Sequence, residues 1–266
     1  MKIWVMFLLF LTACSSAETI EHVVNLDVEQ PIIAGDPTIL KISLTDAAGN
    51  PLPLEIGHER ILHLTIISED FGVFDHIHPE DFSQDIPTMK EIGIYPFFYS
   101  FPRAGTYLLG LDYQVAGERY LGRLQASAEG TPEMRFEAKD YSRIQRVDGI
   151  TVALKGPDRL VAGEPANLVY TFLNEETPIE DLAPYLGAGM HIAVASQDLA
   201  HFQHVHGTPL PTGEHVEYEH GEVPQAFGPD VSTTITFPAP GTYYLFGQFH
   251  YQGNVHVSRF TVAVGG

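Results

Sequence analysis

The sequence has almost no cysteine. Cys14 is the only one among 266 residues, so no disulfide can form within the chain. It follows a short apolar run, residues 3–11, which Lys2 precedes. This run is too short to cross a bilayer as a permanent helix, so the start of the chain has the pattern of an export signal.

The four residues that end at Cys14, Leu-Thr-Ala-Cys, resemble the bacterial lipobox, in which the cysteine becomes the lipidated first residue of the mature protein. The resemblance implies a signal peptide over residues 1–13, a palmitate-bearing lipoprotein anchored at Cys14, and a tether over residues 14–22. Ser15 and Ser16 stand where inner-membrane lipoproteins often carry aspartate, which implies the periplasmic face of the outer membrane. An ordinary cleaved signal or a free thiol is the alternative.

Basic side chains are also scarce. The chain has 14 Lys and Arg residues against 34 Asp and Glu residues, a formal net charge of −20. This balance argues against a nucleic-acid partner and against adsorption to anionic headgroups. A hydrophobic content of 44% excludes a disordered chain, so we expect a folded body that the lipid anchor holds in the bacterial cell envelope.

Catalytic motifs are missing as well. The sequence contains no Gly-x-Ser-x-Gly elbow, phosphate-binding loop, Gly-x-Gly-x-x-Gly or His-Glu-x-x-His. We therefore predict that the protein is not an enzyme. One alternative stays open, because three histidines around a metal ion with an open position can support redox or hydrolytic chemistry.

What the chain does contain is an internal repeat. AGDPTILKISLTDAAGNPLP aligns without a gap with AGEPANLVYTFLNEETPIED, and HLTIISEDFGVFDHIHP aligns with HIAVASQDLAHFQHVHG at the same offset of 128 residues. A third pair, beginning PRAGTYLLG and PAPGTYYLF, has an offset of 136. We predict two repeats, over residues 23–128 and 149–266, joined by a linker over residues 129–148.

Each copy consists of short alternating runs separated by Gly, Pro and Asn, a pattern typical of antiparallel strands. RAGTYLLG and PGTYYLF resemble the late turn and strand of immunoglobulin-like sandwiches. We therefore predict an all-β protein with two tandem immunoglobulin-like β-sandwich domains after the signal peptide. A cupredoxin-like barrel is the alternative.

Histidines cluster in HFQHVHG, which contains His204 and His206. If residues 192–196 and 202–206 form a hairpin with a four-residue loop, His191 lies opposite His206. His204 then shares their face, because alternate residues of a strand point the same way. The corresponding histidines of the first copy are His63, His76 and His78.

Neutral imidazole is a ligand suited to Cu, Zn and Ni, and a His-x-His pair with one cross-strand histidine supplies three such ligands. We therefore predict a transition-metal site in the second copy, with copper as the favoured ion and zinc as the alternative. The first copy has a second possible site. The structural alternative is that these histidines are strand residues bonded to carbonyls or exposed at an edge.

The second copy has two further candidate ligands. Gln114 and Tyr120 of the first copy become His250 and His256 in the second, on either side of the last turn. A three-residue loop would make the two histidines face each other, whereas a loop of two or four residues would point them to opposite sides. With up to five candidate ligands, the second copy is predicted to hold the main site.

An acidic insertion, TGEHVEYEHGEVPQAFGPD, distinguishes the second copy; its His215 and His220 alternate with glutamates. It is either a flap that collects cations or a solvated loop. Met190 beside His191 suggests copper, but neighbouring strand residues point to opposite faces. We therefore predict that Met190 belongs to the core.

Residues 181–207, DLAPYLGAGMHIAVASQDLAHFQHVHG, resemble a motif of bacterial exported proteins and lipoproteins: Leu-x-Pro-Tyr-Leu-Gly, a histidine, then Asp-x-x-x-Phe-x-His-x-His. Those proteins are similar in style to YtkA-like and CopC-like β-sandwiches, which are associated with metal handling. The departures are Gly207 in place of a final proline and the absence of Pro-Tyr-Leu-Gly from the first copy. The positions that match are His191, Asp198, Phe202, His204 and His206.

Two functions follow as hypotheses. The first is a lipid-anchored envelope protein that binds a transition metal as a buffer, sensor or chaperone, with the membrane and a metal-handling envelope protein as its partners. The second is a non-catalytic structural or interaction module, whose histidines serve packing or a partner surface.

Overall fold

A computed structural model describes residues 21–131, 140–211 and 223–266. Strands hold 60% of the residues and helices 4%, which confirms the all-β prediction. The chain divides into two compact units, Met1–Phe136 and Glu137–Gly266. Within the three described ranges, no helix has the length and apolar character needed to cross a membrane. Cys14, His215 and His220 lie outside the described residues.

The first unit is built from short strands, one 3-10 helix and one α-helix. In chain order they are β1 His22–Asp27, β2 Ile32–Ile33, β3 Pro37–Asp46, β4 Leu54–Glu55, β5 His63–Ser68, β6 Phe74–Ile77, the 3-10 helix Pro79–Asp81, α1 Ile86–Ile92, β7 Ile94–Ser100, β8 Gly105–Val115 and β9 Glu118–Glu129.

Two sheets form the first unit. One contains β1, β3 and β7, and the other has the order β2-β9-β8-β5-β6, with β4 on β8. Alternation along β3 buries Leu40, Ile42 and Leu44 and leaves Ile39 and Lys41 exposed. These buried side chains join those of the other sheet in a single core. Each fully buried Leu or Ile contributes about 1.5–3 kcal/mol, so this core holds the two sheets together.

Helix α1 is an element that the sequence pattern did not predict. Asp85 accepts a hydrogen bond from the Thr88 amide at its start, and Gly93 adopts a left-handed conformation with φ 67° at its end. Met89 is its one buried residue. A helix of seven residues is too short to show a clear apolar periodicity, so its capping residues are the clearer signal.

The second unit contains strands alone among its described elements. They are β10 Ile144–Val147, β11 Ile150–Lys155, β12 Leu160–Val161, β13 Pro165–Asn174, β14 Thr177–Pro178, β15 Met190–Ser196, β16 Phe202–Pro209, β17 Asp230–Thr236, β18 Gly241–Tyr251 and β19 Asn254–Gly265.

These strands form one curled sheet of order β10-β11-β13-β17-β16-β15-β18-β19-β12, with β14 on β13. Strand β16 joins the strands from β10 to β17 in this order to those from β15 to β12, because it pairs with β15 along most of its length and with β17 at Thr208 and Pro209. The curled sheet encloses one apolar core. Met190 is fully buried in that core, which confirms its predicted place.

Equivalent strands of the two units share the same register. Strand β5 pairs with β6 and β8 as β15 pairs with β16 and β18. The last hairpin of each unit closes with two residues of positive φ, Ala116-Gly117 and Gln252-Gly253. Such two-residue turns match the twist of the strands that they connect.

Candidate metal centre

The hairpin of β15 and β16 has the predicted register. His191 pairs with His206 and Ala193 pairs with His204, so the three histidines share one face. The Ser196 amide donates to the His201 carbonyl at 3.0 Å and closes the predicted four-residue loop. The register prediction is therefore confirmed.

An aspartate of the repeated motif orders the hairpin loop in each unit. The Ser196 hydroxyl donates to Asp198 at 2.5 Å, and the Ala200 amide donates to the same carboxylate oxygen at 3.0 Å. Asp70 accepts the equivalent bonds from Ser68 and Gly72. This aspartate thus acts on the loop, and the loop sets the register that brings the histidines together.

In the first unit, His63, His76 and His78 form a buried cluster, here named the first trio. Nδ1 of His63 lies 3.1 Å from Nε2 of His76 and 3.2 Å from Nε2 of His78, and the two Nε2 atoms are 3.2 Å apart. One nitrogen from each ring therefore points at a common centre.

In the second unit, His191, His204 and His206 form the second trio. Nδ1 of His191 lies 3.2 Å from Nε2 of His204. The rings are arranged as in the first trio, because the ring centroids are 4.6–5.2 Å apart in both. The His206 ring stands at 85° to the His191 ring, as the His78 ring stands at 85° to the His63 ring. His191 and His204 are buried, and His206 is partly buried.

A backbone carbonyl fixes the tautomer of the cross-strand histidine in each unit. Nε2 of His63 donates to the Gly57 carbonyl at 3.0 Å, and Nε2 of His191 donates to the Tyr185 carbonyl at 3.0 Å. A carbonyl can only accept, so each Nε2 carries the hydrogen and each neutral ring keeps its Nδ1 lone pair for the trio.

The Pro-Tyr-Leu-Gly element of the second copy supplies this carbonyl, and its Leu186 adopts a positive φ of 47°. The first copy lacks the motif, yet Gly57 occupies the position of Tyr185, and His58, in the position of Leu186, has φ 49°. The same backbone turn therefore forms from a different sequence. The absence of the motif does not remove the acceptor from the first trio.

A carboxylate holds the first trio at a second point. Nδ1 of His78 donates to Asp81 Oδ2 at 3.2 Å, which leaves the Nε2 lone pair for the trio. Burial alone would raise the pKa of Asp81, but hydrogen bonds from the His78 side chain and backbone outweigh it and hold that pKa below its usual range. Pro209 stands at the equivalent position of the second unit and has no acceptor side chain.

An ion pair lies beside the first trio. Asp112, directly across the sheet from His63, forms a bidentate salt bridge with Arg119. Burial lowers the pKa of His63 to about 4; the neighbouring His78 adds to this shift, and the Gly57 carbonyl and Asp112 oppose it. In the second unit Gln248 and Val255 replace the charged pair.

His250 and His256 do not join the second trio as a group. The two-residue turn pairs His250 with Val255 and Phe249 with His256, so the two histidines point to opposite faces. His256 stacks on Phe249 and its Nδ1 contacts Asp148 Oδ2 at 2.8 Å. The two histidines therefore cannot both share the face of the second trio, so the up to five candidate ligands do not all converge there. The decisive quantity is the loop length, which the sequence left open.

In each trio, hydrogen bonds to the outer ring nitrogens turn the other ring nitrogens inward. In the first trio, the inward atoms of His63 and His78 are both acceptors and lie 3.2 Å apart. A hydrogen on His76 can bridge to one of them at a time, so a cation at the centre suits all three. The buried histidine cluster can hold a metal ion.

The partners that orient the histidines were not predicted from the sequence. Asp81 follows His78 by three residues, and that spacing was a usable signal. The carbonyls of Gly57 and Tyr185 carry no sequence signal, because any residue offers a carbonyl and only the turn directs it. Asp112 becomes a neighbour of His63 only through strand register.

No curated protein matches this chain. One family model, described as a domain of unknown function (DUF8832), matches residues 17–130 and 145–266.

Three solved structures of bacterial alpha-2-macroglobulin show distant similarity. The trypsin-activated Escherichia coli protein is 16% identical, with 91% of this chain and 15% of that chain covered and a TM-score of 0.25. The native E. coli protein is 13% identical, with 94% of this chain and 14% of that chain covered and a TM-score of 0.26. The Salmonella protein reacted with methylamine is 11% identical, with 98% of this chain and 18% of that chain covered and a TM-score of 0.24. This chain spans less than a fifth of the length of those chains, and such TM-scores do not establish a shared fold.

Proposed function

Because this chain belongs to the DUF8832 family, a domain of unknown function, we propose its function from its own side chains. It is a cell-envelope protein that binds transition-metal ions through two histidine trios and acts as a metal buffer, sensor or chaperone.

One observation carries the proposal. Three ring nitrogens of the first trio lie 3.1–3.2 Å from one another, and the centre of such a triangle lies about 1.8 Å from each nitrogen. An ion about 0.8–1.0 Å out of their plane reaches all three at about 2.0–2.1 Å, the usual length of a Zn–N bond. Packing or carbonyl binding alone does not require three nitrogens to approach one point.

The kind of ligand narrows the kind of metal. Imidazole suits copper, zinc, iron and nickel, whereas calcium and magnesium take oxygen ligands. Met190 supplies no thioether, because it lies in the core on the other face of β15. Copper and zinc are therefore the ions proposed for both trios.

Hydrogen bonds to the outer nitrogens support the same proposal. Metal-binding histidines almost always donate their other ring N–H to a carbonyl or carboxylate, which fixes the tautomer and raises the basicity of the ligand. His63 donates to Gly57, His191 donates to Tyr185, and His78 donates to Asp81. These partners would hold the rings ready for the ion.

We also propose that each unit is an immunoglobulin-like sandwich. The Tyr107 hydroxyl donates to the Arg103 carbonyl at 2.8 Å, and the Tyr243 hydroxyl donates to the Ala239 carbonyl at 2.8 Å. A tyrosine hydroxyl bonded to backbone a few residues upstream is the tyrosine corner of such sandwiches. A short strand parallel to the last strand recurs too, as β2 on β9 and β12 on β19.

The envelope location rests on the N-terminal pattern and on lipidation of Cys14. Replacing Cys14 with Ser should abolish incorporation of labelled palmitate and release the protein from membranes. A Cys14→Ser protein that still incorporates the label and stays with membranes would contradict the lipoprotein proposal.

Metal content tests the function itself. The protein is purified without an affinity tag, stripped with a chelator, and titrated with zinc and, under reducing conditions, with copper. We expect one equivalent for each trio and a rise in melting temperature, since a ligand at a hundredfold excess over its Kd stabilises the folded state by about 2.7 kcal/mol. No bound metal and an unchanged melting temperature would favour the interaction module instead.

A further inference from the structure

The spacing of the three nitrogens in the first trio distinguishes between geometries of metal coordination. All three separations are 3.1–3.2 Å, so the nitrogens form a nearly equilateral triangle. Metal–nitrogen bonds to these ions are all about 2 Å long. The distance between two ligand nitrogens therefore depends on the nitrogen–metal–nitrogen angle, which differs between coordination geometries.

A tetrahedral ion with bonds of about 2.0–2.1 Å places any two ligands about 3.3–3.4 Å apart. A square-planar ion with bonds of about 2.0 Å needs two separations of about 2.8 Å and one of about 4.0 Å among three ligands. The observed triangle differs from the tetrahedral set by about 0.2 Å and from the longest square-planar separation by about 0.8 Å.

The hydrogen bonds of the trio resist a change from triangle to square. His63 is held through Gly57 and His78 through Asp81, while His63 and His76 lie on neighbouring paired strands. To open one pair of nitrogens to about 4.0 Å, at least one ring must leave its outer partner or its buried position. Well-packed interiors oppose such movement.

From this geometry we infer that the first trio selects ions that accept tetrahedral coordination, namely Zn(II) and Cu(I), over square-planar Cu(II). The inference rests on the proposed metal-binding function and names the ions that the site accepts. Zn(II) has a filled d shell and no geometric preference of its own, and Cu(I) has the same electron count. The similar ring arrangement extends the inference to the second trio.

The experiment uses the full-length chain with one trio intact. The first trio is isolated in the double variant His204→Ala/His206→Ala and the second in His76→Ala/His78→Ala. A quadruple variant measures copper bound elsewhere, which is subtracted. The corresponding Gln variants replace any Ala variant that lacks the circular-dichroism signal of the folded protein.

Each protein is titrated with Zn(II), with Co(II) as its coloured substitute, with Cu(I) under anaerobic conditions against a competing chelator, and with Cu(II). We expect the intense visible bands of four-coordinate Co(II), their loss on addition of one equivalent of Zn(II), and binding of Cu(I) at least about tenfold tighter than binding of Cu(II).

Two results would overturn the inference, and they differ in what they leave standing. Tighter binding of Cu(II) than of Cu(I) at an intact trio, with the electron paramagnetic resonance spectrum of a square-planar site, would refute the selectivity and leave the metal-binding function in place. No binding of any of the four ions would refute the proposed function, and the inference with it.

Discussion

The two units carry the same three histidines on the same strands, but they surround them differently. The first trio has a carboxylate, Asp81, on one ligand and an ion pair of Asp112 and Arg119 beside another. The second trio has Pro209, Gln248 and Val255 at those positions. Repetition therefore kept the ligand geometry, while the charges around the ligands diverged.

This difference weakens the reason for ranking the second copy first. The second copy contains more histidines, but His250 and His256 point to opposite faces. The outer carboxylate that strengthens a histidine ligand belongs to the first unit. We therefore expect Asp81 to strengthen the first trio, and hydrogen bonds to the outer nitrogens to be a better guide to affinity than the number of candidate ligands.

The largest expected effect is the loss of metal binding when two ligands of one trio are removed. His76→Ala/His78→Ala and His204→Ala/His206→Ala each remove two of three ligands from one trio, so each should lose one equivalent of metal and weaken that site by more than a thousandfold. Isothermal titration of each variant measures the stoichiometry. Loss of both equivalents in either variant would contradict the binding of one ion by each trio, and unchanged binding in both would exclude the histidines as ligands.

The second effect is a pH dependence of the metal-free protein. His63 has a folded pKa of about 4 and an unfolded pKa near 6.5, so the unfolded state binds more protons between these values. Stability is then complete above pH 6.5 and falls by up to about 3 kcal/mol as the pH drops towards 4.

Urea denaturation of wild type and His63→Gln between pH 4 and 7 measures this dependence. In the variant, the free energy of unfolding should depend less steeply on pH, because the contribution of His63 is lost. His191→Gln is the matched change in the second unit. Equal slopes in wild type and His63→Gln would show that the burial of this ring does not govern the acid response.

The third effect concerns Asp81. Asp81→Asn removes the negative charge that His78 faces and should weaken the first trio by about 10–100-fold, the usual effect of losing an outer partner of a metal ligand. It is measured by zinc competition in the His204→Ala/His206→Ala protein. Asp85→Asn is the matched control. Asparagine can also cap α1, and the hydrogen bond given above for Asp85 is to the Thr88 amide and not to a trio histidine. Equal affinities for Asp81→Asn and the control would remove the proposed advantage of the first unit.

The smallest effects are expected outside the trios. His201 lies at the end of the hairpin loop, and His256 is on the opposite face from His250 with Asp148 as its partner. Replacing either with Ala should change the free energy of unfolding by no more than about 0.5 kcal/mol and leave both equivalents of metal bound. If the His256→Ala variant binds one equivalent of metal fewer than wild type, His256 is a ligand of the second site after all.

Much of the fold was predictable because its signals are local. Alternation of apolar and polar residues predicts strands, and the equal spacing of His63 and His191 to the histidines that follow them predicts the same hairpin in both copies. Helix α1 escaped because seven residues carry too little periodicity. The curl of the second sheet, where β16 pairs on both sides, depends on contacts between distant strands.

The repeat, the all-β class and the register of the histidine hairpins can be read from the amino-acid sequence, since strand periodicity and loop length depend on residues close together in the chain. Which histidines converge, and which groups hold them, depends on contacts between distant parts of the chain. The carbonyls of Gly57 and Tyr185 reach the rings through a backbone turn of positive φ, and Asp112 lies beside His63 through strand pairing. Hydrogen bonds and charge interactions depend on distance in space, which residue spacing specifies only within one element.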